Sequence, residues 1–168
     1  RKPRPMTKQS DGNRMRTCLA AVFARNTELL VLDEPGSSLD PLMRDRLCDR
    51  MREYLDDGDG RKSIIFSTHN IADMENAADY AVFMDRGRVI EQGFIEDLKE
   101  KYMIVRGDAE NYEKAKPYLL SGSHNRTTFD GLSLAENAET LAAMDVDSES
   151  PTLQQLSVGL LKYAEEHR

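Results

Sequence analysis

The sequence predicts an α/β fold, mainly a parallel sheet with flanking helices, carrying a small C-terminal α/β appendix. Three observations lead there. The runs Leu29-Leu30-Val31-Leu32 and Ser63-Ile64-Ile65-Phe66-Ser67 are short and continuously apolar, as strands buried on both faces of a parallel sheet are. Helical patterns precede, separate and follow them, so strand and helix alternate. The chain then changes character, with polar residues over 107–150 and an Asp/Glu/Ser stretch at Asp145 to Ser150. These features divide it into a main part, 1–106, and an appendix, 107–168.

Met15, Cys18, Leu19, Val22 and Phe23 recur at helical spacing and predict an amphipathic helix that closes near Asn26. The first strand is bounded by Glu28 and by Asp33-Glu34-Pro35-Gly36. Asp40-Pro41 opens the next helix, an acidic N-cap with Pro at the first helical position. Leu47, Cys48, Met51, Tyr54 and Leu55 continue it until Asp56-Asp57-Gly58-Asp59-Gly60 stops it. The second strand is followed by a helix carrying Ile71, Met74 and Ala78, then by a hairpin of Tyr80 to Met84 and Arg88 to Gln92 around Asp85-Arg86-Gly87. A helix over Ile95 to Lys101 leads to a strand from Tyr102 to Val105. Pro151-Thr152 opens a last amphipathic helix with Leu153, Leu156, Leu160, Leu161 and Ala164 on one face.

Composition narrows the function classes. At 39% hydrophobic and 32% charged residues, the chain has the make-up of a soluble globular protein. Its longest apolar run, Cys18 to Ala24, is far short of the roughly 20 residues needed to cross a bilayer. The basic opening Arg1-Lys2-Pro3-Arg4-Pro5 has no apolar segment or cleavage site after it, and the missing initial Met suggests a fragment or a processed chain. A net charge of −7 disfavours nucleic acid as a partner. Cys18 and Cys48 form no metal-ligand pattern and are expected to be buried free thiols.

The chemistry gathers at strand ends. Two adjacent acids, Asp33 and Glu34, close the first strand, where α/β sheets bind ligands. Asp33 suits Mg²⁺, which keeps most of its waters and takes one or two carboxylates. Glu34 suits a general base or a water-positioning group. Read alone, the pair also suits a plain strand-to-loop turn. His69 ends the neighbouring strand in Ser67-Thr68-His69-Asn70, and adjacent parallel strands lie ~4.8 Å apart, so its imidazole can reach the same phosphate. Ser10-Asp11-Gly12-Asn13 puts a hydroxyl and free N–H groups at a helix N-terminus, an anion site or an ordinary cap.

Taken in order over roughly residues 7 to 105, these features resemble the nucleotide-binding subunits of ABC transporters. On that resemblance Gln9-Ser10-Asp11-Gly12-Asn13 is the signature motif and Leu32-Asp33-Glu34 ends the Walker B strand. Ser37-Ser38-Leu39-Asp40 is the D-loop and His69 the switch histidine. The resemblance implies the C-terminal part of a RecA-like P-loop ATPase core, with ATP and Mg²⁺ as cofactors. Asp33 would serve the metal; Glu34 and His69 catalysis; Ser10, Gly12, Asn13, Ser38 and Asp40 the nucleotide. It further implies a head-to-tail pair with a second ATPase subunit, identical or not, and transmembrane permease partners. The protein would then be cytoplasmic and peripheral on the inner face of the membrane. The tail and the Pro151-Thr152-Leu153 helix resemble those of bacterial exporter-type subunits.

Two departures qualify this. The loop GxxxxGK followed by Ser or Thr has no match: Gly58-Asp59-Gly60-Arg61-Lys62-Ser63 has Arg before the Lys and runs into a strand. The chain therefore reads as a C-terminal half that binds ATP poorly by itself. In the signature, Asp11 brings a negative charge towards the γ-phosphate, a repulsion of about 1 kcal/mol or more at ~4–6 Å with an effective dielectric of about 20, unless Arg14 or Arg16 compensates. A regulatory subunit with an altered signature and a non-transport ABC ATPase are the alternative readings. Intact Asp33, Glu34 and His69 speak against the first; the charge and the want of heptads speak against the second.

Overall fold

A computed structural model of the chain describes residues 10–25 and 27–167. It divides into two compact units, Arg1–Ala77 and Ala78–Arg168.

The first unit contains α1 (Asp11–Phe23), β1 (Leu29–Asp33), α2 (Pro41–Asp56), β2 (Ser63–Ser67) and the short α3 (Ile71–Met74). Asp40 caps α2, its carboxylate accepting from the Met43 N–H at 3.0 Å, and Pro41 occupies the first turn where no N–H is needed. β1 and β2 pair in parallel, with Leu30 beside Ile64 and Asp33 beside Ser67. A parallel pair requires a crossover of a dozen or more residues, and α2 supplies it. Leu30, Leu32, Leu39, Leu47, Met51, Tyr54 and Met74 form the core.

The strands are not buried on both faces as expected. Leu30 and Leu32 are 4% and 7% exposed, whereas Val31 and Ile65 on the opposite face are 71% and 60% exposed. Successive strand side chains alternate between faces, and the helices of this unit cover only one. Cys18 is likewise exposed and only Cys48 is buried, because Leu19 alone of the α1 stripe reaches full burial.

The second unit contains β3 (Tyr80–Asp85), β4 (Arg88–Phe94), α4 (Ile95–Lys101), β5 (Tyr102–Asp108), α5 (Tyr112–Ala115), β6 (Leu119–His124), β7 (Thr128–Leu134), α6 (Ala138–Ala142), β8 (Asp147–Glu149) and α7 (Leu153–Glu166). β3 and β4 form an antiparallel hairpin. Its turn residues Arg86 and Gly87 both have positive φ, 47° and 78°, the geometry of a tight two-residue connection whose twist matches its strands. The remaining strands form one antiparallel sheet ordered β6-β7-β5-β8, a split β-α-β arrangement. Met103, Val105 and Phe129 meet Ala115 of α5 and Leu141 of α6 on one face. On the other, Gly159 of α7 packs against Leu132, and the Ser121 hydroxyl donates to the Gly159 carbonyl at 2.8 Å. Thr152 and Gln155 build a reciprocal capping box at the start of α7.

The expectation of a mainly parallel, RecA-like core is therefore corrected. Among the described residues only β1 and β2 pair in parallel; the two-stranded and four-stranded sheets of the second unit are antiparallel. The physical reason lies in the connections. One long helical crossover joins neighbouring strands, while β3 to β4 and β6 to β7 turn within two or three residues, which permits only antiparallel pairing.

Candidate active site

The parallel register sets the chemistry. Because Asp33 pairs with Ser67 at the strand tips, the two acids of β1 and the polar end of β2 fall side by side. The Ser67 hydroxyl donates to Asp33 Oδ1 at 2.5 Å and accepts from the Glu34 N–H at 3.0 Å. Two residues on, His69 Nδ1 lies 2.7 Å from Glu34 Oε1. A carboxylate oxygen accepts, so Nδ1 is the donor and Nε2 is left to face solvent or a ligand on a ring that is 77% exposed.

Glu34 carries two unusual features. Its φ is +47°, the left-handed region that a non-glycine residue enters at a cost of about 1–3 kcal/mol. Its peptide is held on both sides, since the Ser37 hydroxyl and N–H both donate to the Glu34 carbonyl, at 3.0 and 3.2 Å. Its Oε2 is buried and has no hydrogen-bond partner among the described residues. An unsatisfied buried carboxylate oxygen costs free energy, and such atoms call for an explanation in chemistry.

Asp33 is exposed at the strand tip with one oxygen engaged by Ser67. A single accessible carboxylate is the donor set that Mg²⁺ accepts, since it retains waters and completes its shell with substrate oxygens. Asp33 fits that ion.

The other predicted residues have contacts of their own. Ser10 caps α1, its hydroxyl accepting from the Asn13 N–H at 3.4 Å, and Gln9 lies outside the described residues. Asp11 forms an ion pair with Arg14, one turn along the exposed face, so the charge that the sequence placed against a phosphate is already met by a guanidinium. Gly12 touches the turn that follows β1: a Cβ there would stand 2.9 Å from the Ser38 carbonyl oxygen. Its lack of a side chain is thus required by a contact within the chain. Asp40 is engaged in capping α2, and Arg44 Nε, one turn later, donates to the Gly36 carbonyl at 3.1 Å. Ser67 and Ser37 stand in the sequence as parts of motifs, with no role given to either side chain. The signal that could have found Ser67 was its register opposite Asp33.

The family described as "AAA domain, putative AbiEii toxin, Type IV TA system" matches residues 1–74. The phosphate import ATP-binding protein PstB of Thermotoga maritima is 37% identical over 95 residues, 56% of this chain and 36% of that protein. An uncharacterized ABC transporter ATP-binding protein, YxlF of Bacillus subtilis, is 32% identical over 116 residues, 66% of this chain and 38% of its own. Over roughly half its length, the chain is homologous to ABC-transporter ATP-binding proteins. The L-cystine transport system ATP-binding protein TcyN of Escherichia coli, 32% identical over 50% of this chain and 32% of itself, belongs to the same group. The chain spans about a third of the length of these curated relatives.

Proposed function

We propose that the chain is the C-terminal half of an ATP-hydrolysing subunit of an ABC transporter, coupling hydrolysis to substrate movement through partner membrane subunits. The observation that carries this reading is the Glu34 carboxylate, with Oε1 tied to His69 and Oε2 buried and unpaired among the described residues. Asp33 would hold Mg²⁺, which supplies charge neutralisation at the phosphates. Glu34 takes the proton of the attacking water, and His69 keeps that carboxylate in register and presents Nε2 outward. Ser10, Gly12 and Asn13 would meet the γ-phosphate of an ATP held by a second, head-to-tail subunit, with Ser38 and Asp40 in the D-loop between them. The Asp11–Arg14 pair supports an active signature over a purely regulatory one.

In this reading residues 1–106 belong to the ATPase half and 107–168 form an appendix of exporter-type subunits. The protein works on the cytoplasmic side, docked on permease subunits. No helix among the described residues is long and apolar enough to cross a membrane, and the proposal places none in this chain. ATP affinity and turnover by the chain alone, beside a version extended to include a phosphate-binding loop, test it. The extended protein is expected to bind and hydrolyse ATP and the chain alone to do neither. Binding without hydrolysis in the extended protein would favour the regulatory reading.

A further inference from the structure

We infer that Ser67 is a positioning residue that holds the metal carboxylate and the backbone of the base in one geometry, through a single hydroxyl shared between Asp33 and Glu34. The inference rests on the hydrolytic reading above and deepens it.

A serine hydroxyl has one proton to give and two lone pairs. At Ser67 the proton goes to Asp33 Oδ1, 2.5 Å away, and a lone pair takes the Glu34 N–H at 3.0 Å. Both bonds are therefore made at once, and neither can be made by the residue's own strand: the parallel pairing of β1 and β2 sets Ser67 opposite Asp33. The consequence for Asp33 is a fixed carboxylate plane. For Glu34 it is a fixed amide at the residue whose φ of +47° turns its side chain towards His69. Ser37 holds the other end of the same residue through the Glu34 carbonyl. With that carbonyl and the amide both engaged, relaxation of Glu34 to an ordinary negative φ would break one bond or both. Ser67 touches neither water nor nucleotide in this role; it acts through Asp33 and Glu34.

Thr and Val at position 67 separate the hydroxyl from the volume. The site is exposed, so either β-branched side chain has room on the strand. In the full chain, hydrogen exchange of the Glu34 amide reads the backbone bond without any nucleotide. Ser67→Thr is expected to keep its protection and Ser67→Val to lose roughly ten-fold or more. In the chain extended with its phosphate-binding loop, Ser67→Val is expected to lower kcat between about ten- and a hundred-fold with KM for ATP nearly unchanged, because misplacing the base affects the transition state alone. The Mg²⁺ concentration for half-maximal turnover should rise in the same variant, and Ser67→Thr should restore both. Equal Glu34 exchange, or equal kcat, in the Thr and Val variants would overturn the inference. If the wild-type extended protein binds ATP yet never hydrolyses it, the hydrolytic reading fails and the catalytic role of Ser67 with it, whereas the exchange result still decides whether Ser67 holds Glu34.

Discussion

The parallel pair β1–β2, which ends in Asp33 and Ser67, is the more apolar of the two sheets in sequence, yet the four-stranded sheet of the second unit is the one covered on both faces. β5 and β7 are flanked by α5 and α6 on one side and α7 on the other, leaving Val105, Phe129 and Leu132 at 0%, 2% and 2% exposure. β1 and β2 have helices on one side, and Leu29, Val31 and Ile65 stand open at 50%, 71% and 60%. Site geometry in the first sheet is therefore set by strand register and a few hydrogen bonds at the tips. In the second sheet, packing on both faces carries the stability. The two should respond differently to the same kind of substitution.

The largest effect is expected at the two-sided sheet. Leu156, fully buried in α7, loses its packing in Leu156→Ala at a cost of about 2–5 kcal/mol, read from denaturant unfolding of the second unit. Gly159→Ala should cost about 1–3 kcal/mol although alanine favours helix, since its Cβ would stand 2.7–2.8 Å from the Leu132 side chain. A gain in melting temperature would show that α7 can shift on the sheet and would weaken the contrast.

The next effect depends on pH. Burial opposes ionisation of Glu91, but hydrogen bonds from Lys101 and Tyr102 outweigh it and hold its carboxyl below the ordinary 4.5. The hydrogen bond to Glu91, against the opposing effect of burial, raises Lys101 above 10.5. A depressed carboxyl contributes stability above its unfolded value and loses it as pH falls through its folded value; a raised ammonium contributes below its unfolded value and loses it as pH rises through its folded value. The stability difference between wild type and Glu91→Gln should thus be widest between 4.5 and 10.5 and shrink beyond either end. A difference independent of pH would mean that packing, not charge, joins these side chains. The smallest effect belongs to the open face, where Val31→Thr should change the stability of this chain by no more than about 0.5 kcal/mol. A cost comparable to that of Leu156→Ala would break the comparison.

Much of the fold was legible where local chemistry decides it. Asp40-Pro41 announced the start of α2, Asp56 to Gly60 its end, and Asp85-Arg86-Gly87 the hairpin, because caps and turns depend on a few adjacent residues. Sheet direction was not legible beyond the first crossover. An apolar strand reads alike in a parallel or an antiparallel sheet until its connections are known, and the second unit pairs strands that are not neighbours in sequence, β5 with β7 and with β8. Double burial of Leu29 to Leu32 was over-read for a related reason: a continuous apolar run shows that both faces tolerate cover, not that this chain provides it.

At the site, residue types and spacing pointed to Asp33, Glu34 and His69; the Ser67 hydroxyl joins the Asp33 carboxylate to the Glu34 N–H, and the Glu34 carboxylate meets His69. What the sequence left dark was conformation. The left-handed Glu34, its unpaired Oε2 and the Ser67 bridge depend on the register of two strands and have no local sequence signature. The Asp11–Arg14 pair was foreshadowed only as one of two compensating cations.

Single-turnover hydrolysis by Glu34→Gln, in the chain extended with a phosphate-binding loop, tests the central claim most directly. The account predicts hydrolysis reduced by about a hundred-fold or more, with ATP binding and ATP-driven pairing of subunits retained, because the base is lost while Asp33 and the fold remain. Hydrolysis at the wild-type rate would contradict it and return the buried Glu34 oxygen to the status of an unexplained structural defect.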